Sequence, residues 1–179
     1  MSIRFASLFF CILIFNPLFL RAQKSTRYER LTTASGLSQN TINKIIQDKK
    51  GFLWFATADG LNRYDGYSFT VFRNDPSDNK TLSGSDISTV CEDDEGNLWV
   101  GTRNAGLNKV NLKTGSVIRF LRGPSGEDIS SVTIPSIVNL GKHKICVAAV
   151  GMGIMTIDSK KNVLIKSESD FQTPIIKDV

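Results

Sequence analysis

The sequence predicts an all-β fold of repeated four-stranded antiparallel units, the blades of a β-propeller, and three observations predict it. The segment Ser38 to Thr57 reappears 45 residues later as Ser83 to Thr102. Within each copy, short apolar runs rich in β-branched and aromatic residues are separated by turn signals such as Asp48-Lys-Lys-Gly51 and Asp65-Gly66. No 3.6-residue apolar period is sustained, which excludes a helical solenoid. A β-sandwich also uses short strands and frequent turns, but it does not need the same Asp, Gly, Leu and Trp at one period. Blades stacked on like neighbours do.

The strands of the first copy follow in order. Ile42 to Gln47 is a short apolar-rich strand, and Asp48 to Gly51 a turn whose glycine can take positive φ. Phe52 to Thr57 is apolar on both faces, as expected of a strand buried between two packed sheets. Ala58 to Gly60 turns the chain, Leu61 to Tyr64 forms a third strand, and Asp65-Gly66 leads into a fourth, Tyr67 to Arg73. In the second copy Leu82 matches Leu37, Ile87 matches Ile42 and Val90 matches Ile45. Asp93 matches Asp48, Gly96 matches Gly51, and Leu98-Trp99 matches Leu53-Trp54. One inserted residue then aligns Gly60-Leu-Asn-Arg-Tyr64 with Gly106-Leu-Asn-Lys-Val110.

A third, degraded copy stands a further 47 residues on, with Ile145-Cys146-Val147 in place of Leu98-Trp99-Val100. There Cys146 replaces the tryptophan, His143 the turn glycine and Leu140 the aspartate. The expected organisation is a leader over 1–22, a lead-in over 23–35 and blades over 36–80, 81–126 and 127–170. The start of a truncated fourth repeat follows over 171–179. Three blades and a fraction do not close a ring, which takes about four or more. The expectation is therefore an incomplete propeller: the amino-terminal piece of a longer protein, or a truncated gene product.

Met1 to Arg4 carries one positive charge, Phe5 to Leu20 runs apolar, and Arg21-Ala22 follows. This is the pattern of a secretory signal peptide, with Ala22 the last residue removed, so export is expected. Two of the 22 basic residues, Arg4 and Arg21, leave with it; 20 then face 17 acidic ones, a net charge of +3. No basic stripe forms, which argues against nucleic-acid binding. Cys11 lies in the leader, and Cys91 and Cys146 each sit in an apolar strand, where a small buried hydrophobe is expected. No spacing suggests a disulfide framework.

Gly36-Leu-Ser-Gln-Asn40, Gln47 to Thr57 and Asp59-Gly-Leu-Asn-Arg-Tyr-Asp-Gly-Tyr67 resemble the opening of the two-component regulator propeller repeat. Asp93-Asp-Glu-Gly-Asn-Leu-Trp-Val-Gly-Thr102 resembles its internal copy. The resemblance covers roughly residues 31–158. It implies a periplasmic sensor region of a hybrid histidine kinase, in which two seven-bladed rings precede a β-sandwich, a membrane helix and a cytoplasmic kinase. It implies that the remaining blades of the parent propeller pack on this piece, that the parent receptor is a homodimer, and that an oligosaccharide is the signal for polysaccharide-utilisation genes.

The chain itself is expected to catalyse nothing. Its single histidine, His143, falls in a turn, and Gly151-Met-Gly153 is not followed by a phosphate-binding helix start. One histidine and two strand cysteines give no metal-ligand spacing, and no cofactor is implied. Glu92, Asp93, Asp94 and Glu95 suggest a calcium site or a glycosidase pair. Asp93, however, recurs as Asp48, and a residue repeated in each blade is expected to build the turn. Trp54 and Trp99 sit mid-strand among apolar neighbours and are expected to pack blade on blade. Asp48, Gly51, Leu53, Trp54, Asp93, Gly96, Leu98 and Trp99 are thus the structural signature. Ligand contacts are expected on the rim formed by the loops entering the innermost strand and joining the second and third strands. Those loops carry Ser38, Asn40, Thr57 and Asp59, then Ser83, Ser85, Arg103 and Asn104. Of these, Asn40, Asp59, Arg103 and Asn104 are the ligand-binding candidates, their polar groups suited to hydroxyl-rich sugars. A secreted propeller glycoside hydrolase or lyase, and a free-standing periplasmic binding module, are the competing readings.

Overall fold

A computed structural model describes residues 28–166. The expected leader (1–22) and the start of a fourth repeat (171–179) lie outside the described residues, as does the end of the third. The chain divides between Arg30 and Leu31, and all the strands belong to the unit that begins at Leu31.

Among the described residues twelve strands form three four-stranded antiparallel sheets, each in sequential order. The first holds β1 (Ile42–Gln47), β2 (Leu53–Thr57), β3 (Gly60–Tyr64) and β4 (Phe69–Phe72). The second holds β5 (Ile87–Glu92), β6 (Asn97–Thr102), β7 (Leu107–Asn111) and β8 (Val117–Phe120). The third holds β9 (Ser136–Gly141), β10 (Lys144–Ala149), β11 (Gly153–Asp158) and β12 (Val163–Lys166). β5 lies against β1 and β2, and β9 against β5 and β6, so the first strands of successive sheets are neighbours. That is the radial stacking of propeller blades, with β1, β5 and β9 innermost.

Two strands are shorter than the sequence suggests. β2 starts at Leu53, because the Phe52 N–H donates to Asp48 Oδ1 and belongs to the turn. β4 starts at Phe69, because Asp65 Oδ1 accepts the N–H groups of Tyr67 and Ser68. In both places an aspartate side chain competes with the ladder for backbone donors.

The two larger cores lie between blades, and a third gathers Leu37, Phe55 and Tyr64 on the first blade. Trp54, Ala56 and Leu61 of the first blade meet Leu82, Ile87, Val90, Leu98 and Val100 of the linker and second blade. Trp99, Leu107 and Phe120 of the second meet Ile129, Ile134, Ile137, Ile145, Val147 and Ile157 at the third. Each tryptophan leans on a phenylalanine of its blade's outermost strand: Trp54 on Phe72 at 5.6 Å and Trp99 on Phe120 at 5.2 Å, both tilted by 34°. Their indoles are buried in this inter-blade packing. Cys91 and Cys146 are half-buried free thiols rather than buried ones, and partial burial pushes both thiols up.

The repeat signature is tied together by one carboxylate per unit. Asp48 Oδ1 accepts the N–H of Lys50 and Phe52, while Trp54 Nε1 donates to its Oδ2 at 2.8 Å. Asp93 does the same with Glu95, Asn97 and, at 3.0 Å, Trp99. A buried carboxylate is tolerated because donors surround both of its oxygens. In the third blade, where Leu140 and Cys146 stand in place of the signature Asp and Trp, the hairpin instead turns through Lys142 and His143, both at positive φ (51° and 61°). Positive φ at both central residues is the mark of a type I′ turn.

Candidate functional site

The rim that carries the β2–β3 and β6–β7 connections also carries the linkers between blades, and most of its polar side chains are spent on structure. Asn62 is fully buried: its Oδ1 accepts the Ser38 N–H at 2.9 Å and its Nδ2 donates to Ser38 Oγ at 2.8 Å. Asn108 clamps Ser83 through the same pair of bonds, at 2.9 and 2.8 Å. Thr57 Oγ1 lies 2.9 Å from Ser38 Oγ, and Ser85 Oγ accepts the Asn74 N–H. These residues fasten each linker to its blade.

The four candidate residues separate into two groups. Asn40 Oδ1 accepts the Thr33 N–H, capping the turn that leads into the first blade. Asp59 pairs with Arg73 at 2.9 Å and accepts from both its Nε and Nη2. Both are engaged in holding loops. Arg103 and Asn104, by contrast, stand together on the wall of an open cleft of about 450 Å³, completed by Asn43, Ser88, Thr133 and Pro135.

The elements place these side chains for identifiable reasons. β1 and β5 each carry a bulge, between Ile42 and Lys44 and between Ile87 and Thr89, which frees Asn43 and Ser88 from the ladder. Both then reach the following blade: Asn43 Nδ2 donates to the Ile87 carbonyl at 2.7 Å, and Ser88 Oγ to the Ile134 carbonyl at 2.6 Å. Pro135 takes the corresponding place in the third unit and has no donor to offer. Asn104 adopts φ 59°, a left-handed conformation that asparagine tolerates in a turn. Its N–H donates to Thr133 Oγ1, and its Oδ1 accepts the Thr133 hydroxyl at 3.0 Å.

Arg103 is the one cation on the cleft wall, and its side chain is about half exposed. Its backbone N–H donates to the Asp86 carbonyl, Nε lies 3.6 Å from Asp86 Oδ1, and Nη2 reaches Asn43 Oδ1 at 3.4 Å. The guanidinium therefore bridges from the second blade's linker to the first blade's innermost strand. Asn43, Ser88 and Thr133 were not singled out from the sequence. Asn43 and Ser88 carried a signal: a polar residue directly after the first isoleucine of the innermost strand in both strong copies. Thr133 lies in the linker to the degraded copy, where no alignment marks it.

On the opposite rim, Glu92, Asp94 and Glu95 are engaged between blades. Glu92 Oε2 accepts the Lys49 N–H, Asp94 accepts from the His143 N–H and Asn139, and the Glu95 carboxylate meets the His143 imidazole and the Ser159 hydroxyl. Lys109, buried beside Trp99, donates to the Ser159 carbonyl at 2.6 Å and to Asn162 Oδ1 at 2.8 Å, with Asp93 Oδ2 at 3.7 Å. No group of metal-ligating side chains forms among the described residues. No helix among them is long and apolar enough to cross a membrane.

Comparison with known proteins places this geometry. The family described as "Two component regulator propeller" matches residues 36–59 and 81–104. Histidine kinase P4 of Formosa agariphila is 41% identical over 77 residues, which cover 41% of this chain and 6% of that protein. The crystal structure of an extracellular domain assigned to the hybrid two component system BT3049 of B. thetaiotaomicron superposes with a TM-score of 0.70 at 29% identity. It covers 78% of this chain and 20% of its own. The extracellular domain assigned to BT4673 of the same organism gives 0.59 at 25% identity, covering 82% and 19%. The chain thus spans about a fifth of the length of these solved structures.

Proposed function

Since the chain carries two-component regulator propeller repeats, we propose that it is part of the extracellular sensing region of a hybrid two-component histidine kinase. It is exported to the periplasm, holds no kinase chemistry of its own, and contributes three blades to a ring that recognises an oligosaccharide. The observation that carries this reading is the superposition, over 78% of the chain, on an extracellular domain assigned to such a system. The cleft supports the ligand class. Amides, hydroxyls and a guanidinium on rigid blade ends give directional hydrogen bonds to a hydroxyl-rich molecule. They include neither the carboxylate pair of a glycoside hydrolase nor a histidine, tyrosine or lysine to serve as a lyase's base, which favours a binding module over a secreted hydrolase or lyase.

The test is genetic. Removing the coding sequence for residues 36–166 from the encoding bacterium is expected to abolish transcriptional induction by the cognate polysaccharide while leaving growth on simple sugars intact. Unchanged induction on every polysaccharide the bacterium uses would sink the reading.

A further inference from the structure

The cleft's hydrogen-bonding groups are unevenly spent. Of its two side-chain carbonyl oxygens, Asn43 Oδ1 receives Arg103 Nη2 and Asn104 Oδ1 receives the Thr133 hydroxyl. The donors are not used up to the same extent. Asn43 Nδ2 and Ser88 Oγ donate to backbone carbonyls. Asn104 Nδ2 and Arg103 Nη1 donate to nothing among the described residues. Asp86 is the one carboxylate at hand. It lies on the Nε side at 3.6 Å, beyond hydrogen-bond length, and its Oδ1 is buried without a hydrogen-bond partner. It orients the guanidinium and leaves Nη1 unpartnered beside Nη2, which gives one hydrogen to Asn43 Oδ1 and has a second to offer. No aromatic ring lines the cleft, so no flat apolar platform is offered to the face of a neutral sugar ring.

We infer that the cleft selects an acidic saccharide, with the Arg103 guanidinium fork receiving a uronic-acid carboxylate and Asn104 Nδ2 adding a third donor beside it. A planar carboxylate matches the guanidinium fork, and its two oxygens supply acceptors for the donors that the walls leave unused. The Ser88 and Thr133 hydroxyls have given their hydrogens to Ile134 and Asn104, so their oxygens can only accept from ring hydroxyls. The inference rests on the saccharide reading and narrows it to one class.

Isothermal titration of the full chain with a uronate trisaccharide, and with the same trisaccharide methyl-esterified at its carboxyls, separates the two ideas. The free acid is expected to bind about tenfold more tightly than the ester. The preference should shrink as salt is raised, because the fork is half exposed. Arg103→Met should bring the affinities for acid and ester together, and Arg103→Lys should keep only part of the preference, since an ammonium has no fork. Equal binding of acid and ester to the unmodified chain would overturn the acidic selection while the saccharide reading stands. Failure of both, together with failure of a panel of neutral oligosaccharides, would overturn the saccharide reading itself.

Discussion

At the scale of single residues, the second blade turns on Asp93, Trp99 and Lys109. Asp93 is fully buried with four side-chain or backbone donors from Glu95, Asn97 and Trp99 around it. Lys109 brings the compensating charge and pins the third blade through Ser159 and Asn162. Removing one partner of a buried pair leaves the other unpaired, so Lys109→Met is expected to lower unfolding free energy by about 3–5 kcal/mol in urea denaturation. Lys113→Met, on an exposed turn, should change little. Asp94 gives a pH-dependent counterpart. The His143 backbone N–H, then the Asn139 amide, hold its carboxyl below the ordinary aspartate value. Its stabilising contribution is therefore present above the unfolded value, near 4, and is lost as pH falls through the lower folded one. Asp94→Asn is expected to weaken the chain at pH 7, with the difference closing in acid; thermal melts across pH 7 to 3 check this.

At the scale of elements, close approach at the cleft-bearing rim decides which turns accept a side chain. Gly106, at φ 74°, stands just before β7 and directly beneath the linker to the third blade. Its N–H donates to the Val132 carbonyl, and a Cβ there would come within 2.5 Å of the Ile129 carbonyl oxygen. Gly151 has a similar φ of 78° with nothing near it. Gly151→Ala should therefore cost only the left-handed backbone penalty, about 1–2 kcal/mol. Gly106→Ala should cost that plus displacement of the linker, about 2–4 kcal/mol in total by equilibrium unfolding. A Gly106→Ala variant no weaker than Gly151→Ala would show that the linker yields freely. The hairpins differ for a related reason. Where Asp48 or Asp93 gathers backbone donors, a longer turn is held by its side chain. Leu140 cannot do this, and the third hairpin tightens onto Lys142 and His143.

At the scale of the whole molecule, blades bury most of their apolar surface against other blades, while Leu31 and Leu37 cover Phe55 and Tyr64 on the first. On the first, Ile42 and Ile45 are exposed, and on the third Val138, Leu140, Ile154 and Ile165 are about half exposed. Such faces associate when nothing covers them. The isolated 19.8 kDa chain is expected to sediment above its monomer mass, and Val138→Lys with Ile165→Glu to shift it toward monomer. A sharp monomer peak for the unaltered chain would count against this. The strand order, the turns and the tryptophan positions were legible in the sequence, because each blade repeats the same local chemistry and repetition needs no knowledge of partners. What the cleft contains was not: Asn43, Ser88 and Thr133 come from three separate segments, and no spacing within one copy brings them together. Periodicity alone determined the architecture, since every unit must present the same faces to its neighbours. Only the tertiary structure decided which polar rim residues are spent on fastening loops and linkers, as Ser38, Ser83, Asn40 and Asp59 are, and which, like Arg103 and Asn104, keep donors to offer. That distinction depends on hydrogen bonds between segments far apart in the chain, and those exist only once the blades have met.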